Sequence, residues 1–418
     1  MTPEVKERIE QIRHGNVPEG YKKTAVGISP DDWQEIQLSK VVDFLDDRRI
    51  PIKESERIQG EYPYYGASGV IDHVADYIFD GEYILLGEDG ANIIERSTPL
   101  AFRVSGKCWI NNHAHVLSPK DGYHIDYLTN YLESLSYAKY NSGTAQPKLN
   151  QDTCQKIPVV CGSYTEQVKI ADILSAQNTI MELKEKLLAE KQRQKKYMMQ
   201  QLLIGKKRLP GYDSNWQNCK LHQIAKRIRR RNSIGNKNVL TISAQYGLIN
   251  QSEFFNKEVA SDDKSNYYLL KRNDFAYNKS YSSGYPFGAI KRLTRYDMGV
   301  VSPLYICFEI LGENVSLEYM EQYFEAGLMN REIQAFAQEG ARNHGLLNIA
   351  VDDLFNSKIV LPSLEEQRAI AEILTAADRE IELLRQDLEQ EKQKKKALMQ
   401  LLLTGIVRVD TPDREMHA

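Results

Sequence analysis

The sequence predicts an α+β protein in which two globular α/β units are separated by two long helices, paired as an antiparallel coiled coil with pseudo-twofold symmetry. The first observation is a repeat: residues 166–209 align without a gap with residues 366–409, and 18 of the 44 positions are identical. The second is that the segments between these copies mix strand-like and helix-like patterns and differ from each other. The third is a weaker match between WQEIQLSKVVD from Trp33 and WQNCKLHQIAK from Trp216.

Each copy of the repeat is predicted to form one long helix. Ser163 and Ser363 each stand three residues before a glutamate at the start of a copy, which is the pattern of a capping box. Gly205 and Gly405 stand at the two ends, where a glycine can adopt the left-handed conformation that terminates a helix. A helix of about 40 residues extends roughly 60 Å at ~1.5 Å per residue.

A seam with alternating spacings of three and four residues runs along each predicted helix, and this spacing favours helix-on-helix packing. An antiparallel pairing centred on Leu188 and Leu388 would place Lys184 opposite Glu391. The alternative is two long surface helices with solvated charged faces. The duplicated caps and seams favour the coiled coil.

The repeat divides the chain into six predicted segments. These are an N-terminal helix completing the repeat (1–21), a first globular domain (22–160), a first helical spacer (161–209), a second globular domain (210–361), a second helical spacer (362–409) and a tail (410–418). VPEGY before the first domain resembles RLPGY before the second. The N-terminal helix is therefore expected to dock beside the C-terminus.

The composition is that of a folded protein. Its 418 residues include 54 Lys and Arg, 57 Asp and Glu, and 42% hydrophobic residues, which suits two domains with connecting elements. No apolar run approaches the ~20 residues that a membrane span needs, and the charged N-terminus lacks the pattern of a signal peptide. Five cysteines without a CxxC pair fit a reducing compartment. We therefore expect a cytoplasmic protein without membrane contact.

No catalytic motif can be defended in this sequence. It lacks a GxxxxGK[ST] phosphate loop, a GxGxxG fingerprint, a GxSxG nucleophile motif and the [ND]PP-aromatic motif of amino-methyltransferases. His113 and His115 share one face of a predicted strand, but no third ligand stands at a spacing that suits a metal. We expect no catalytic residue, no metal site and no cofactor in this chain.

Loops between the predicted strands are rich in Tyr, Gly, Ser, Asn and basic residues. Such side chains can read base edges or contact phosphates, although the same composition is ordinary in turns. Five of the six residues 226–231 are cationic, for which a solvated helix face is the alternative. Residues 33–160 carry 12 Lys and Arg against 18 Asp and Glu, and residues 216–360 carry 18 against 15. Because DNA-binding surfaces are usually basic, either the two domains bind something other than DNA or partner subunits supply most of the phosphate contacts. We favour the second interpretation.

The sequence resembles a known protein family. Two segments, VCGSYTEQ and LPSLEEQ, are each followed by the sequence IAxIL and by a helix that ends in MQQLLIG or MQLLLTG. These segments are similar to the specificity subunit of bacterial type I restriction–modification enzymes. The stretches YPYYGASGVIDHVADYIFDGEYILLGEDGAN, YNKSYSSGYPFGAIKR and EGARNHGLLNI resemble parts of its two target-recognition domains. The first opening departs from the family pattern because it lacks Leu-Pro, which affects only the domain edge.

The resemblance implies a function for both kinds of segment. Each target-recognition domain would read one half of a bipartite site in double-stranded DNA. The paired helices would set the spacing of the two domains and dock two methyltransferase subunits, which motor-nuclease subunits would join. S-adenosylmethionine, ATP and Mg²⁺ would be used by those partners.

Loop chemistry and the resemblance together give candidate DNA contacts. These are Tyr64, Tyr65, Ser68, Asn92 and Lys148 in the first domain, and Arg229, Arg230, Tyr277, Lys279, Ser282 and Arg342 in the second. Apolar clusters near the helix ends give candidate docking residues, because they exceed what one seam can bury. These are Met198, Met199, Leu202, Leu203, Leu398, Met399, Leu402 and Leu403.

Two other functions remain open from the sequence. A specificity subunit of a related restriction class, in which methylation and cleavage share one polypeptide, fits the same features. A coiled-coil adaptor that binds no DNA would explain the helices but not the two divergent domains.

Overall fold

A computed structural model describes residues 2–143, 146–243, 246–255, 264–281, 284–339 and 347–410. The chain forms two compact units: unit 1 comprises residues 1–185 and 386–418, and unit 2 comprises residues 186–385. Each unit therefore combines one globular lobe with parts of both long helices. Within the described ranges, no helix has both the length and the apolar character needed to cross a bilayer.

From the N-terminus to residue 202 the elements are α1 (Pro3–Arg13), β1 (Tyr21–Thr24), β2 (Gly27–Pro30), β3 (Gln34–Gln37), α2 (Leu38–Val41), β4 (Val42–Phe44), β5 (Gln59–Gly66), β6 (Gly69–Val74), β7 (Phe79–Gly87), α3 (Asn92–Glu95), β8 (Ala101–Ile110), β9 (Ala114–Pro119), α4 (Ile125–Ser134), α5 (Gln151–Cys154), β10 (Pro158–Cys161) and α6 (Tyr164–Leu202). Short 3₁₀ turns occupy Asp46–Arg48, Glu54–Glu56 and Ala138–Tyr140.

The lobe of unit 1 is built on a six-stranded sheet in the order β4-β9-β7-β8-β5-β6. Its strand pairs are antiparallel except for β5 and β8. Strand β7 is central and is buried on both faces: Ile84 and Leu86 point into one core cluster, while Tyr83 and Leu85 point into another. This explains why residues 83–86 of β7 are continuously apolar, since the polar alternation of a half-exposed strand is absent there.

From residue 217 onward the elements are β11 (Gln217–Lys220), α7 (Leu221–Ile224), β12 (Ala225–Arg227), β13 (Leu240–Ser243), β14 (Gly247–Asn250), α8 (Gln251–Phe255), β15 (Tyr268–Lys271), β16 (Phe275–Asn278), β17 (Ala289–Arg292), β18 (Met298–Val301), β19 (Ile306–Ile310), α9 (Leu317–Glu325), α10 (Asn330–Phe336), β20 (Gln338–Glu339), β21 (Leu347–Asn348), α11 (Val351–Asn356), β22 (Lys358–Leu361) and α12 (Leu364–Leu402).

The lobe of unit 2 contains a four-stranded sheet in the order β12-β19-β16-β17, together with several two-stranded pairs. Three aromatic rings lie at the centre of the larger hydrophobic core of this lobe. The rings of Phe275 and Phe308 stack with centroids 5.5 Å apart, and Phe324 of α9 meets both edge-on. Such stacked and edge-on contacts add to the area that the rings bury.

The long helices α6 and α12 each span 39 residues, as predicted. The start of α6 has a complete capping box, with Glu166 N donating to Ser163 Oγ and Ser163 N donating to Glu166 Oε2, both at 3.3 Å. Gly205 and Gly405 have φ values of 70° and 71°. Glycine is needed at position 405 because a Cβ there would lie 2.5 Å from Pro30.

The two helices pair antiparallel within each unit. In unit 1, Lys184 Nζ lies 2.9 Å from Glu391 Oε1, which confirms the predicted charge match, and Gln177 Nε2 donates to Glu391 Oε2 at 2.6 Å. The hydrogen bonds from Gln177 and Lys184 lower the pKa of Glu391 to about 2. In unit 2, Lys191 pairs with Glu380 at 2.7 Å and Lys195 with Asp378 at 2.5 Å.

Helix α1 lies against the end of the chain within unit 1. Arg8 donates to the carbonyl of Ile406 at 2.7 Å, and the Tyr21 hydroxyl donates to the carbonyl of Gly405 at 3.0 Å. These contacts are the ones that the predicted docking of the N-terminal helix beside the C-terminus requires.

Candidate nucleic-acid interface and helix junctions

The hairpin of β5 and β6 carries three of the predicted DNA contacts. Ser68 is exposed at its turn, and Tyr65 is half-buried. Tyr64 is 1% exposed: its hydroxyl accepts a hydrogen bond from Ile52 N at 3.0 Å, and the Arg57 guanidinium covers its ring. The prediction that Tyr64 contacts DNA is therefore wrong, because the side chain anchors a loop inside the lobe.

Asn92 holds its own loop closed. Its Oδ1 accepts from Thr98 N at 3.0 Å, and its Nδ2 donates to the Thr98 carbonyl at 3.0 Å. A side chain that satisfies both backbone groups of another residue already uses the hydrogen-bonding edge with which it would read a base. The geometry assigns Asn92 a structural role, contrary to the prediction of a DNA contact.

Lys148 is exposed beside a buried network of charges. Its Nζ lies 3.3 Å from Glu88 Oε1, and Glu88 in turn accepts from Arg49 at 2.7 Å. At the centre is His115, 1% exposed, with Nδ1 2.6 Å from Asp46 Oδ2 and Nε2 2.8 Å from the carbonyl of Leu149. Both neighbouring atoms are acceptors, so both ring nitrogens must carry protons.

The histidine is thus an imidazolium. Burial, the largest single influence, would lower the pKa of His115, but the hydrogen bonds and charge interactions with Asp46 and Cys154 together outweigh burial and raise the pKa to about 10. Although burial opposes it, contact with His115 also holds the pKa of Asp46 below its ordinary value. His113 instead contacts Asp89 at 2.8 Å. Within the described residues, no group of three His, Cys, Asp or Glu side chains could hold a metal ion.

The basic run of unit 2, residues 226–231, contains both exposed side chains and side chains that are paired within the lobe. Arg229 is exposed. Arg230 forms an ion pair with the buried Asp274 and also donates to the carbonyl of Leu269. Arg230 therefore stabilises the lobe, and it is corrected from a predicted DNA contact to a structural cation.

The remaining predictions in unit 2 fall in three places. Tyr277 is wholly buried and donates to the carbonyl of Phe287 at 2.6 Å, so the prediction of a DNA contact is wrong for it. Burial raises the pKa of this phenol. Lys279 is half-buried, and its carbonyl accepts from Leu347 N. Ser282 and Arg342 lie outside the described residues.

The apolar clusters at the helix ends are buried inside their own units, which contradicts their prediction as docking residues. In unit 2, Leu203 is 1% exposed and packs in the aromatic core. In unit 1, Leu403 is 2% exposed and packs in the core around Trp33. The other members are buried in, or packed against, the same cores: Met198, Met199 and Leu202 in unit 2, and Leu398, Met399 and Leu402 in unit 1. The lobes cover the apolar surface of the helix ends that the coiled-coil seam does not bury.

A duplicated junction joins each lobe to the helices, and sequence reasoning missed it. In unit 1, the buried carboxylate of Glu166 accepts from Trp33 Nε1 at 3.2 Å and from Arg408 Nε at 2.8 Å. In unit 2, Glu366 accepts from Trp216 Nε1 at 3.1 Å and from Arg208 Nε at 2.7 Å. The signal was present, because the arginine and glutamate are identical in both copies of the repeat and a tryptophan begins both lobes.

The next residue of each helix completes the junction. In unit 1, Gln167 Oε1 accepts from His124 N at 3.0 Å, at the N-terminus of α4. In unit 2, Gln367 Oε1 accepts from Ser316 N at 2.9 Å, at the N-terminus of α9. Both glutamines also donate to the backbone just before their own helix. The same Glu-Gln pair thus fixes the main helix of each lobe on the spacer.

Each unit also exposes an apolar stripe on its long helix. On α6 the stripe is Ile173, Ala176, Ile180 and Leu183. On α12 its apolar members are Ile373, Ala376 and Leu383, and Glu380, which pairs with Lys191, stands at the position equivalent to Ile180. The spacings of three, four and three residues are those of a helix-packing seam. Leu183 is 59% exposed and Leu383 is 65% exposed, so this apolar surface is left over after the lobes and the coiled coil have formed.

Comparisons with known proteins agree with this architecture. The sequence profile described as "Type I restriction modification DNA specificity domain" matches residues 30–191 and 213–392. A Haemophilus influenzae protein named as a type I restriction enzyme specificity subunit is 33% identical over 145 residues, which are 35% of this chain and 37% of that protein. A type I restriction enzyme specificity subunit of Methanocaldococcus jannaschii is 24% identical over 430 residues, covering 91% and 94% of the two chains.

A solved structure has the same fold. It is the crystal structure of a type I restriction–modification system S subunit from M. genitalium, which aligns with a TM-score of 0.56 at 12% identity over 91% of this chain and 96% of that one. Each profile match covers one lobe and much of the helix that follows it. The chain therefore belongs to the type I restriction–modification DNA specificity domain family and carries two copies of that domain.

Proposed function

We propose that this chain is the DNA sequence-recognition subunit of a type I restriction–modification complex, in which each lobe reads one half of a bipartite site. The observation that carries the proposal is the duplicated junction. Two different lobes are attached to the paired helices by the same Glu, Gln, Trp and Arg contacts. An unchanged attachment with divergent lobes suits a scaffold that presents two interchangeable readers.

The paired helices act as the spacer between the two half-sites. Their ends are fixed by caps and their seam by half-buried ion pairs, so the number of helical residues sets the separation of the readers. Rigid spacers of this kind let two weak contacts act together, because the second binds at a high effective concentration.

The exposed stripes are proposed as the docking surfaces for two methyltransferase subunits. Each stripe has the spacing that accepts a further helix, and the two stripes occupy equivalent positions 200 residues apart in the repeat. They replace the apolar clusters at the helix ends, which are buried. With one stripe for each methyltransferase subunit, the chain would dock two of them.

Chemistry is assigned to the partners. The methyltransferase subunits would use S-adenosylmethionine, and the motor-nuclease subunits would use ATP and Mg²⁺. The partners would also supply phosphate contacts, since the first lobe is net acidic with 12 Lys and Arg against 18 Asp and Glu in residues 33–160.

Mapping of methylated adenines tests the proposal. The chain is expressed with its methyltransferase in a host without other adenine methylation, and the genome is sequenced for modified bases. We expect one interrupted motif, of which one half changes when residues 22–160 are replaced by those of a relative and the other half stays. An adaptor without DNA specificity would give no motif, and a motif that changes in both halves would contradict the assignment of one half-site to each lobe.

A further inference from the structure

The loop after β12 in unit 2 ends in an exposed apolar side chain. Ile234 is 60% exposed at the tip of the loop, beside Gly235 with φ of 68°. Single exposed apolar residues are common on protein surfaces. The surroundings of Ile234 therefore decide whether its exposure has a function.

The backbone of this loop is clamped from inside. Asn232, only 6% exposed, accepts from Asn236 N at 2.8 Å through Oδ1 and donates to the Asn236 carbonyl at 2.9 Å through Nδ2. The same Nδ2 donates to the carbonyl of Lys264 at 3.3 Å. The side-chain amide thus pairs with both backbone groups of Asn236, as a neighbouring strand would. The three residues between them are held out as a rigid tip.

A second asparagine ties the clamp to the lobe. Asn236 Oδ1 accepts from Asn238 N at 2.8 Å, and Asn238 in turn donates to the carbonyl of Met298 at 3.0 Å. Because Met298 begins strand β18, the position of the tip is fixed by the sheet framework. A tip held in this way loses little conformational entropy when it binds a partner.

The segment formed by the end of β12 and the loop is also strongly basic. No acidic residue stands between Lys226 and Ser252, and this stretch contains the six cations Lys226, Arg227, Arg229, Arg230, Arg231 and Lys237. Arg230 is paired with Asp274, and Arg231 lies over the ring of Tyr268 at 4.7 Å. Arg229 and Lys237 are exposed on the two sides of the tip in the chain, where they can contact phosphates.

Building on the proposed function, we propose that the loop from Asn232 to Asn236 is a base-reading element of unit 2 and that Ile234 contacts the methyl group of a thymine in the major groove. An aliphatic side chain cannot hydrogen-bond a base, and the thymine C5-methyl is the apolar feature of base edges in the major groove. The flanking cations hold the loop against the phosphates, and the asparagine clamp aims the isoleucine at one base pair.

Replacement of single thymines by deoxyuridine tests the assignment, because it removes the methyl group and keeps the base pair. Binding of the full-length chain, in the complex it forms, is measured on its mapped site and on duplexes with each thymine of the unit 2 half-site replaced in turn. We expect one replacement to weaken wild-type binding by about fourfold, the effect of one buried methyl group. The same replacement should have no effect on Ile234→Ala and a retained effect on Ile234→Val.

Leu304→Ala is the matched control, since Leu304 is an aliphatic residue of the same unit with 61% exposure. It should keep the full response to deoxyuridine. The inference is overturned if no thymine in this half-site responds in the wild type, or if Ile234→Ala responds as the wild type does. Failure of the wild type to prefer its mapped site over a scrambled duplex would instead overturn the proposed function.

Discussion

The Arg408 guanidinium donates from Nε to the buried Oε1 of Glu166 at 2.8 Å, across 242 positions of sequence. Glu166 is the third residue of α6, and Arg408 lies beyond the end of α12. The bond therefore closes unit 1 by joining the start of α6 to the segment that follows α12. The equivalent bond of unit 2, between Arg208 and Glu366, lies within a continuous stretch of chain.

Removal of the arginine should destabilise unit 1. Arg408→Met leaves the Glu166 carboxylate, 3% exposed, without its cation, and breaking a buried pair from one side costs about 3–5 kcal/mol. Urea unfolding of the full chain measures the change. Arg193→Met, at a side chain with 75% exposure, is the control and should shift stability by less than about 0.5 kcal/mol. Equal effects of the two substitutions would show that the junction is not a stabilising element.

Substitutions at exposed stripe residues should affect methyltransferase binding, whereas substitutions at buried residues of the helix ends should affect stability. Leu183→Glu and Leu383→Glu change exposed stripe residues, so they should abolish co-purification with the methyltransferase while the thermal unfolding temperature stays near that of the wild type. Leu203→Ala changes a core residue, and it should lower the free energy of unfolding by about 2–5 kcal/mol. A methyltransferase retained at full stoichiometry by the double stripe variant would refute the docking proposal.

The His115 imidazolium should make the stability of unit 1 depend on pH in the alkaline range. Its pKa is raised to about 10 in the folded state, against an ordinary value of about 6.5 in the unfolded chain. A raised pKa contributes stability that is fully present below about pH 6.5 and is lost as pH rises towards 10. The difference in unfolding free energy between wild type and His115→Gln should therefore shrink over that range. A difference that is constant from pH 6 to 10 would contradict the protonated assignment.

The exposed cations of unit 2 should act through phosphates. Arg229→Gln and Lys237→Gln should each weaken binding to specific and unspecific DNA alike and reduce the slope of log affinity against log salt by about 1. Arg230→Gln should instead lower stability, because it leaves Asp274 buried without its partner. A loss of base preference without a change in salt slope would assign Arg229 to base reading.

The sequence was most informative where a signal was local or duplicated. The lengths of α6 and α12 follow from their caps and terminal glycines, and the Lys184–Glu391 pair follows from the seam. Tyr64 and Tyr277 were misjudged because tyrosines in Gly-rich stretches resemble surface residues, whereas the neighbours that bury them come from distant parts of the chain. Leu203 and Leu403 were misjudged for a related reason. A pattern along one helix shows apolar surface but not the lobe that covers it.

Lengthening the spacer tests the central claim most directly. Repeating residues 185–191 within α6 and residues 385–391 within α12 adds one heptad to each helix and preserves their antiparallel register. Seven residues extend a helix by ~10.5 Å, or about three base pairs of DNA. The methylated motif of this variant should keep both half-site sequences and gain about three base pairs in the gap between them. An unchanged gap in a folded, active variant would contradict the account.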